Sequence, residues 1–223
     1  MTSQRHRPST HSGADRGRPA AVAVAPPDDP VLRAAYDAVL DLGMRRTTLA
    51  EVARRASVSR MTVYRRYDDL DRLLSALLTE QLGAIVAEVE RRVARRRTAR
   101  DRAATAVVSV VAALQAHPLL TRVLDVDPET LLPLVVDRFG SSQRLARDHL
   151  AALLRQGMSR HGGDRSVRGG DADLMALTLV VAAQSFVFSG RVVNAADPRA
   201  TDQLRVLVDR YLAPAPTSAE ESR

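Results

Sequence analysis

Thr48-Leu49-Ala50-Glu51-Val52-Ala53-Arg54-Arg55-Ala56-Ser57-Val58-Ser59-Arg60-Met61-Thr62-Val63-Tyr64-Arg65-Arg66-Tyr67 is the stretch that decides how the chain is read. Thr48 and Glu51 have the spacing of a capping box, and Leu49, Val52, Ala53 and Ala56 share one side of the short helix that would follow. Ser57 and Val58 form a tight turn. Ser59 can cap a third helix, Arg60 to Tyr67, whose inward side is Val63 and Tyr67, four residues apart. Two short helices joined by three or four residues have the spacing of a helix-turn-helix, in which the second helix enters the major groove of DNA. Its outward side here is Arg60, Met61, Thr62, Tyr64, Arg65 and Arg66. Arg can fork onto guanine, Met and the Thr methyl can touch a thymine methyl, and the Tyr hydroxyl can bond a phosphate. The competing reading is that Arg54, Arg55, Arg65 and Arg66 only solvate helix surfaces.

Upstream, Asp29-Pro30 has the form of an N-cap followed by proline in the first turn. Leu32, Ala35, Tyr36, Val39 and Leu42 then fall on one face, and Gly43 ends the helix. Downstream, Asp68, Asp69 and Asp71 put negative charge at the start of a long fourth helix, where the helix dipole favours it. Its stripe runs through Leu70, Leu73, Leu74, Leu77, Leu78, Leu82, Ile85, Val86, Val89 and Val93. Further helical patterns cover about 100–116, 118–125, 128–139, 141–160, 171–193 and 198–212, broken by Pro and Gly. No stretch alternates with period two, so the fold class is all-α.

The composition agrees. The 223 residues are 45% hydrophobic but only 3% aromatic, so the core must be built of Leu, Val and Ala, which suits packed helices. There is no Cys, which removes disulfides, Cys-ligated zinc, iron–sulfur clusters and thiol nucleophiles. There is no Lys, so all 33 basic residues are Arg, and the net charge is +7. From residue 105 onward Arg and acids balance at thirteen each, which places the whole excess in the first half. Seven Arg against Glu51 between Arg45 and Arg66 favour a polyanionic partner.

The segment Thr48 to Tyr67, with Ala34-Ala35, Gly43 and Leu73-Leu74, resembles the TetR family of transcriptional regulators over roughly residues 30–78. The resemblance implies a homodimer of all-helical subunits, each with an N-terminal three-helix helix-turn-helix domain and a C-terminal helical domain for ligand binding and dimerisation. It also implies that Thr48 and Tyr64 face phosphates and that Arg60, Met61, Thr62 and Arg65 face bases; Arg66 or Arg72 would replace the phosphate contact of a family Lys whose place Leu70 takes here. Three departures stand out: Ser57 where the turn usually has Gly, Arg66 and Tyr67 for a common His and Phe, and Leu70 for a frequent Lys.

The expected organisation is a basic disordered tail over 1–28, a DNA-binding domain over 29–75, a ligand-sensing and dimerisation domain over 76–213, and a disordered end over 214–223. The expected function is a ligand-responsive regulator of transcription, a repressor released from a palindromic operator by an apolar or amphipathic small molecule. A DNA-binding dimer without an inducer is the alternative. The discriminating feature is a cavity of a few hundred cubic ångströms with convergent polar groups. No enzyme signature is present: no phosphate-binding Gly-rich loop, nucleophile elbow or regular carboxylate cluster. No cofactor is expected, and the five His lack metal-ligand spacing.

Gln115, His149 and Gln156 are the candidate ligand contacts, each with a bland reading beside it as a core, rim or solvated residue. Thr178, Ser185 and Ser189 line one stripe of the 171–193 helix and suit a dimer seam within 171–212, with Val180 and Leu207 as its apolar members. Leu174 to Phe188 is apolar but interrupted, and reads as a buried helix of a soluble protein rather than a membrane span. No export signal precedes the helices, so a cytoplasmic protein is expected. Arg91 to Arg97 reads as a solvated helix end or a second basic patch. Arg16-Gly17-Arg18-Pro19 resembles the core of an AT-hook, against the plainer reading of an inert tail.

Overall fold

The computed structural model describes residues 22–129, 140–159, 163–197 and 199–215. The AT-hook-like run and the 128–139 helical pattern, apart from its first two residues, lie outside them.

Nine helices occupy the described residues, and no strand is found among them: α1 Pro30–Leu42, α2 Leu49–Arg55, α3 Arg60–Arg66, α4 Leu70–Val93, α5 Ala99–Gln115, α6 Pro118–Val126, α7 Ser141–Met158, α8 Ala172–Ala196 and α9 Ala200–Leu212. The local signals act where they stand. Asp29 Oδ1 accepts from the backbone N–H groups of Val31 and Leu32 at 3.0 and 2.9 Å. Ser59 and Asp69 accept likewise from Thr62 and Arg72. Each satisfies donors that the first helical turn leaves without partners. At α2 the box is only half made. Thr48 accepts from the Glu51 N–H, but the Glu51 carboxylate turns to Arg54 and Arg55 instead.

Two apolar clusters divide the chain. The first joins α1, α2 and α3 through Ala35, Val39, Val52 and Val63, and is closed by Leu73 and Leu77 of α4 and by Leu119 and Val123 of α6. The second joins α5, α7, α8 and α9 through Val111, Leu154, Leu179 and Leu204. The 24-residue α4, about 36 Å long at 1.5 Å per residue, enters the first cluster with its N-terminal half. With its second half it forms a third, smaller cluster against α5.

That third cluster corrects the expected tail. Val22 is buried among Ile85, Val89, Val93 and Ala113, with Val24 packed beside it, and the Ala25 carbonyl accepts from Gln81 Nε2 at 3.5 Å. Residues 22–28 therefore form a strap on α4 and α5.

The 25-residue α8 is long and apolar enough to cross a membrane by length and composition alone. One side of it, Met175, Ala176, Leu179 and Val187, packs into the second cluster.

Ser57, in the turn between α2 and α3, has φ 55°. A side chain in left-handed backbone costs about 1–2 kcal/mol, part of which Gly would return as unfolded-state entropy. Ser57→Gly is expected to stabilise the protein by about 0.5–1 kcal/mol, read as a higher midpoint in denaturant unfolding, while Ser57→Val should lower it.

Candidate nucleic-acid interface and buried cavity

In α3, Val63 is fully enclosed and Tyr67 buried at its end, which turns Arg60, Met61, Thr62, Tyr64, Arg65 and Arg66 outward. Met61 is 74% exposed and Tyr64 50%, large apolar surface left open on a face otherwise made of Arg and Thr. Thr48 is exposed at the start of α2. The exposed Thr62 shares a hydrogen bond between its hydroxyl and Ser59 Oγ at 2.8 Å.

The seven Arg between Arg45 and Arg66 are not equivalent. Glu51 binds Arg54 Nη2 at 2.7 Å and Arg55 Nε at 2.8 Å, and Arg55 reaches Asp41 at 2.5 Å. Hydrogen bonds from Arg54 and then Arg55 hold the Glu51 carboxyl down at about 2 against its ordinary 4.5. Arg45 pairs with Glu129 at 3.1 Å. Arg66 pairs with Asp29 at 2.6 Å, its guanidinium 5.2 Å from the Tyr67 ring centre. Arg66 thus ties α3 to the cap of α1, which answers for its place where the family has a common His. Arg46, Arg60 and Arg65 are exposed and make no ion pair among the described residues. With Arg72, exposed in the first turn of α4 and likewise without an ion pair among the described residues, these three carry the positive field open to a partner.

Between α4, α5, α7 and α8 lies a cavity of about 230 Å³. Its wall is aliphatic apart from a few groups. Gln81 and His117, 4% and 7% exposed, meet inside it, with His117 Nε2 3.1 Å from Gln81 Oε1. Burial pushes the His117 imidazole below its ordinary value, so the ring is neutral at neutral pH. Because Gln81 Nε2 donates to the Ala25 carbonyl, its Oε1 accepts from His117 Nε2–H, which fixes the tautomer. Glu90 and His149, both about half exposed, lie where the wall meets solvent and contact each other at 2.8 Å.

Of the three residues expected to meet a ligand, His149 is on the wall and two are not. Gln115 Nε2 donates to the Phe186 carbonyl at 2.8 Å and lies across Gly190, where a Cβ would collide with its amide. It fastens α5 to α8. Gln156 is exposed and accepts from Arg102 Nη2 at 3.4 Å. Val180 also belongs to the cavity wall and is buried, so it cannot serve an outer seam. The exposed apolar residues of α8 and α9 are Leu174, Val181, Val192, Val206 and Leu207, and Thr178, Ser185 and Ser189 are exposed on α8 with them. Gln81, His117 and Gln143 are polar wall groups that the sequence reading missed. Gln81 and His117 lie 36 residues apart on different elements, beyond any local spacing rule.

α6 joins the two sites. His117 stands at the N-cap position of α6, on the cavity wall. At its other end buried Asp127 accepts from the Arg45 N–H at 3.4 Å, and Arg122 Nη2 donates to the Asp41 carbonyl at 3.2 Å. Gly43, φ 85°, ends α1 there, and a Cβ on it would sit 2.5 Å from Asp127 Oδ2. The turn between α1 and α2 is therefore seated on the end of α6.

The family model described as bacterial regulatory proteins, tetR family, matches residues 31–77. An uncharacterized HTH-type transcriptional regulator of Mycobacterium bovis is 36% identical over 166 residues, 74% of this chain and 82% of that protein. Among solved structures, the fold is similar to that of the regulator FadR from Bacillus subtilis in complex with stearoyl-CoA, at 16% identity and TM-score 0.57, covering 82% of this chain and 98% of that one. It is also similar to RolR in complex with resorcinol, at 14% identity and TM-score 0.58, covering 86% and 88%.

The low Glu51 value has a measurable consequence. A depressed carboxylate contributes stability above its unfolded pKa and loses it as pH falls through the folded one. The Glu51 clamp on α2 should thus hold at pH 4.5 and open only toward about pH 2. Carboxyl-carbon NMR titration checks this: the Glu51 midpoint should lie near 2, and should return toward 4.5 in the Arg54→Gln, Arg55→Gln double variant.

Proposed function

The chain belongs to the TetR family of bacterial regulatory proteins, and from that premise we propose that it is a homodimeric, ligand-responsive repressor, released from a palindromic operator by a small molecule. The observation that carries this reading is the joint placement of α4 and α6. α4 has its N-terminal half in the core of the outward-facing reader and its later turns on the cavity wall, and α6 gives Leu119 and Val123 to that core and Leu120, with His117 before it, to the wall. A molecule that displaces either helix at the cavity must move the reader, because Leu73 and Leu77 of α4 and Leu119 and Val123 of α6 close the reader's core. The alternative, a DNA-binding dimer without an inducer, gives the buried Gln81–His117 pair and the space around it no role. FadR and RolR, similar in fold, are described with stearoyl-CoA and resorcinol bound, which supports the same choice.

In this reading residues 29–75 are the DNA reader and 76–213 the sensing and dimerisation domain, acting on chromosomal DNA in the cytoplasm. Thr48 and Tyr64 bind phosphates. Arg60, Met61, Thr62 and Arg65 face base edges, and Arg46 adds a cation beside them. Arg66 acts by holding α3 on α1. The subunits pair through the exposed stripe of α8 and α9, since an open row of Leu and Val with small residues between is surface that a second copy can cover.

Duplexes selected by the protein from a random pool supply the probe. Affinity for them should fall steeply with salt, because each phosphate neutralised releases counterions. Arg60→Ala should cost about 1–3 kcal/mol and relax preference at one base position per half-site, whereas Tyr64→Phe should weaken selected and unrelated duplexes alike. Equal losses on both duplexes for Arg60→Ala would remove it from base reading. Arg66→Ala should lower the melting temperature while changing DNA affinity less than Arg65→Ala. For the seam, Val181→Arg or Leu207→Arg should give monomers by light scattering; dimers in both would place the interface elsewhere.

A further inference from the structure

We propose that the cavity takes an electrically neutral molecule with an aliphatic body and one hydrogen-bonding end, a hydroxyl or carbonyl, seated at the Gln81–His117 pair. This rests on the ligand-responsive reading above and names the class of its ligand.

Three features of the wall point to it. The first is charge. The chain has 33 Arg, yet none is among the described residues lining the cavity. A carboxylate, phosphate or sulfate seated at the buried end of the cavity would lose its water and gain no cation from these residues, and burying a charge without a partner is prohibitive. A buried cation fares no better, because Glu90 is the one carboxylate among those lining residues, half exposed and already in contact with His149 at 2.8 Å.

The second is the polar pair. Gln81 and His117 are the most enclosed polar residues of the wall, and both are uncharged at neutral pH, the imidazole because burial disfavours its charged form. They are held in place from behind. Gln81 bonds the Ala25 carbonyl of the strap at 3.5 Å, and the His117 ring stands edge-on to Tyr36, with centroids 6.3 Å apart and planes at 86°. A fixed, neutral donor–acceptor pair in an apolar chamber suits one neutral polar group.

The third is shape. Phe188 is the one benzene ring among the described lining residues, so those residues offer no pair of benzene faces to clamp a planar aromatic ligand. Apart from Ser142, Gln143 and Gln184, the remaining described wall is Leu, Val, Ile and Ala along α4 to α8, surfaces that dispersion and dehydration match to an aliphatic chain.

Three probes with one hydrocarbon body test the assignment on the full-length protein at pH 7: decanol, decanoate and decylammonium, each titrated below its micellar concentration by calorimetry. Decanol is expected to bind at least tenfold more tightly than either ion. Gln81→Leu and His117→Phe should each weaken decanol about three- to tenfold, the worth of one neutral hydrogen bond, with helical content by circular dichroism unchanged. Ala106→Phe, which fills the chamber from α5, should abolish decanol binding. Decanoate or decylammonium binding as tightly as decanol, no binding by any of the three, or full decanol affinity in both polar-pair variants would overturn the proposal. The same titrations repeated with bound operator separate the two readings. Decanol that binds with the stated selectivity but leaves DNA bound contradicts the regulatory reading and upholds the ligand class. Release of DNA by decanoate alone does the reverse.

Discussion

The apolar stripe of α4 is the constraint on which the rest of this structure depends. A single helix must bury Leu73, Leu74 and Leu77 against the reader and, further along, Ile85, Val89 and Val93 against α5 and the strap, with Leu82 and Val86 on the cavity wall. Residues three and four apart lie on one face, so one pattern held over 24 residues commits both halves to one rod. Neither half can repack alone. Fully buried Leu73, Leu77 and Ile85 are each of a kind whose truncation costs about 2–5 kcal/mol. The reader is thereby held at a defined angle to the chamber that its own support helps to wall.

Charge is divided as sharply as apolar surface. The reader carries many Arg, yet most are consumed in building it: Glu51 forks two, Asp29 takes Arg66, and Glu129 takes Arg45. Exposed ion pairs of this kind contribute little stability singly, but they fix side chains. Arg54, Arg55 and Arg66 join α2 and α3 to α1 and to their own turns instead of reaching out. What remains open is a small set, Arg46, Arg60, Arg65 and Arg72, with Met61 and Tyr64 exposed beside Arg60 and Arg65 on α3. Fewer free cations with apolar neighbours make a surface better suited to discriminating bases than to gathering phosphate indiscriminately.

Local rules read the elements well and the tertiary roles poorly. Asp29, Thr48, Ser59 and Asp69 cap the helices they precede, because capping is settled within three or four residues. The turn at Ser57 was legible as a position asking for Gly; its φ of 55° shows that the residue accepts the strain. Gln115 was misread because the determinant is Gly190, 75 residues away, whose missing side chain makes room for the amide. Gln81 and His117 escaped notice for the same reason. Val22 was assigned to a disordered tail by its neighbours' composition, whereas a single valine with a shelf on α4 is enough to anchor the strap. Within the reader, Arg66 looked like its neighbours in sequence, and only the proximity of Asp29 in space separates its role from that of Arg65.

The claim from which the others follow is that the outward face of α3 reads DNA from a twofold dimer. Selection from a random duplex library by the full-length protein, followed by sequencing of what it retains, tests it most directly. The account predicts a palindromic consensus of two half-sites whose centres lie about one helical turn, roughly 34–36 Å, or a multiple of it apart. Retained duplexes with no shared motif, or with a single unrepeated one, would contradict it.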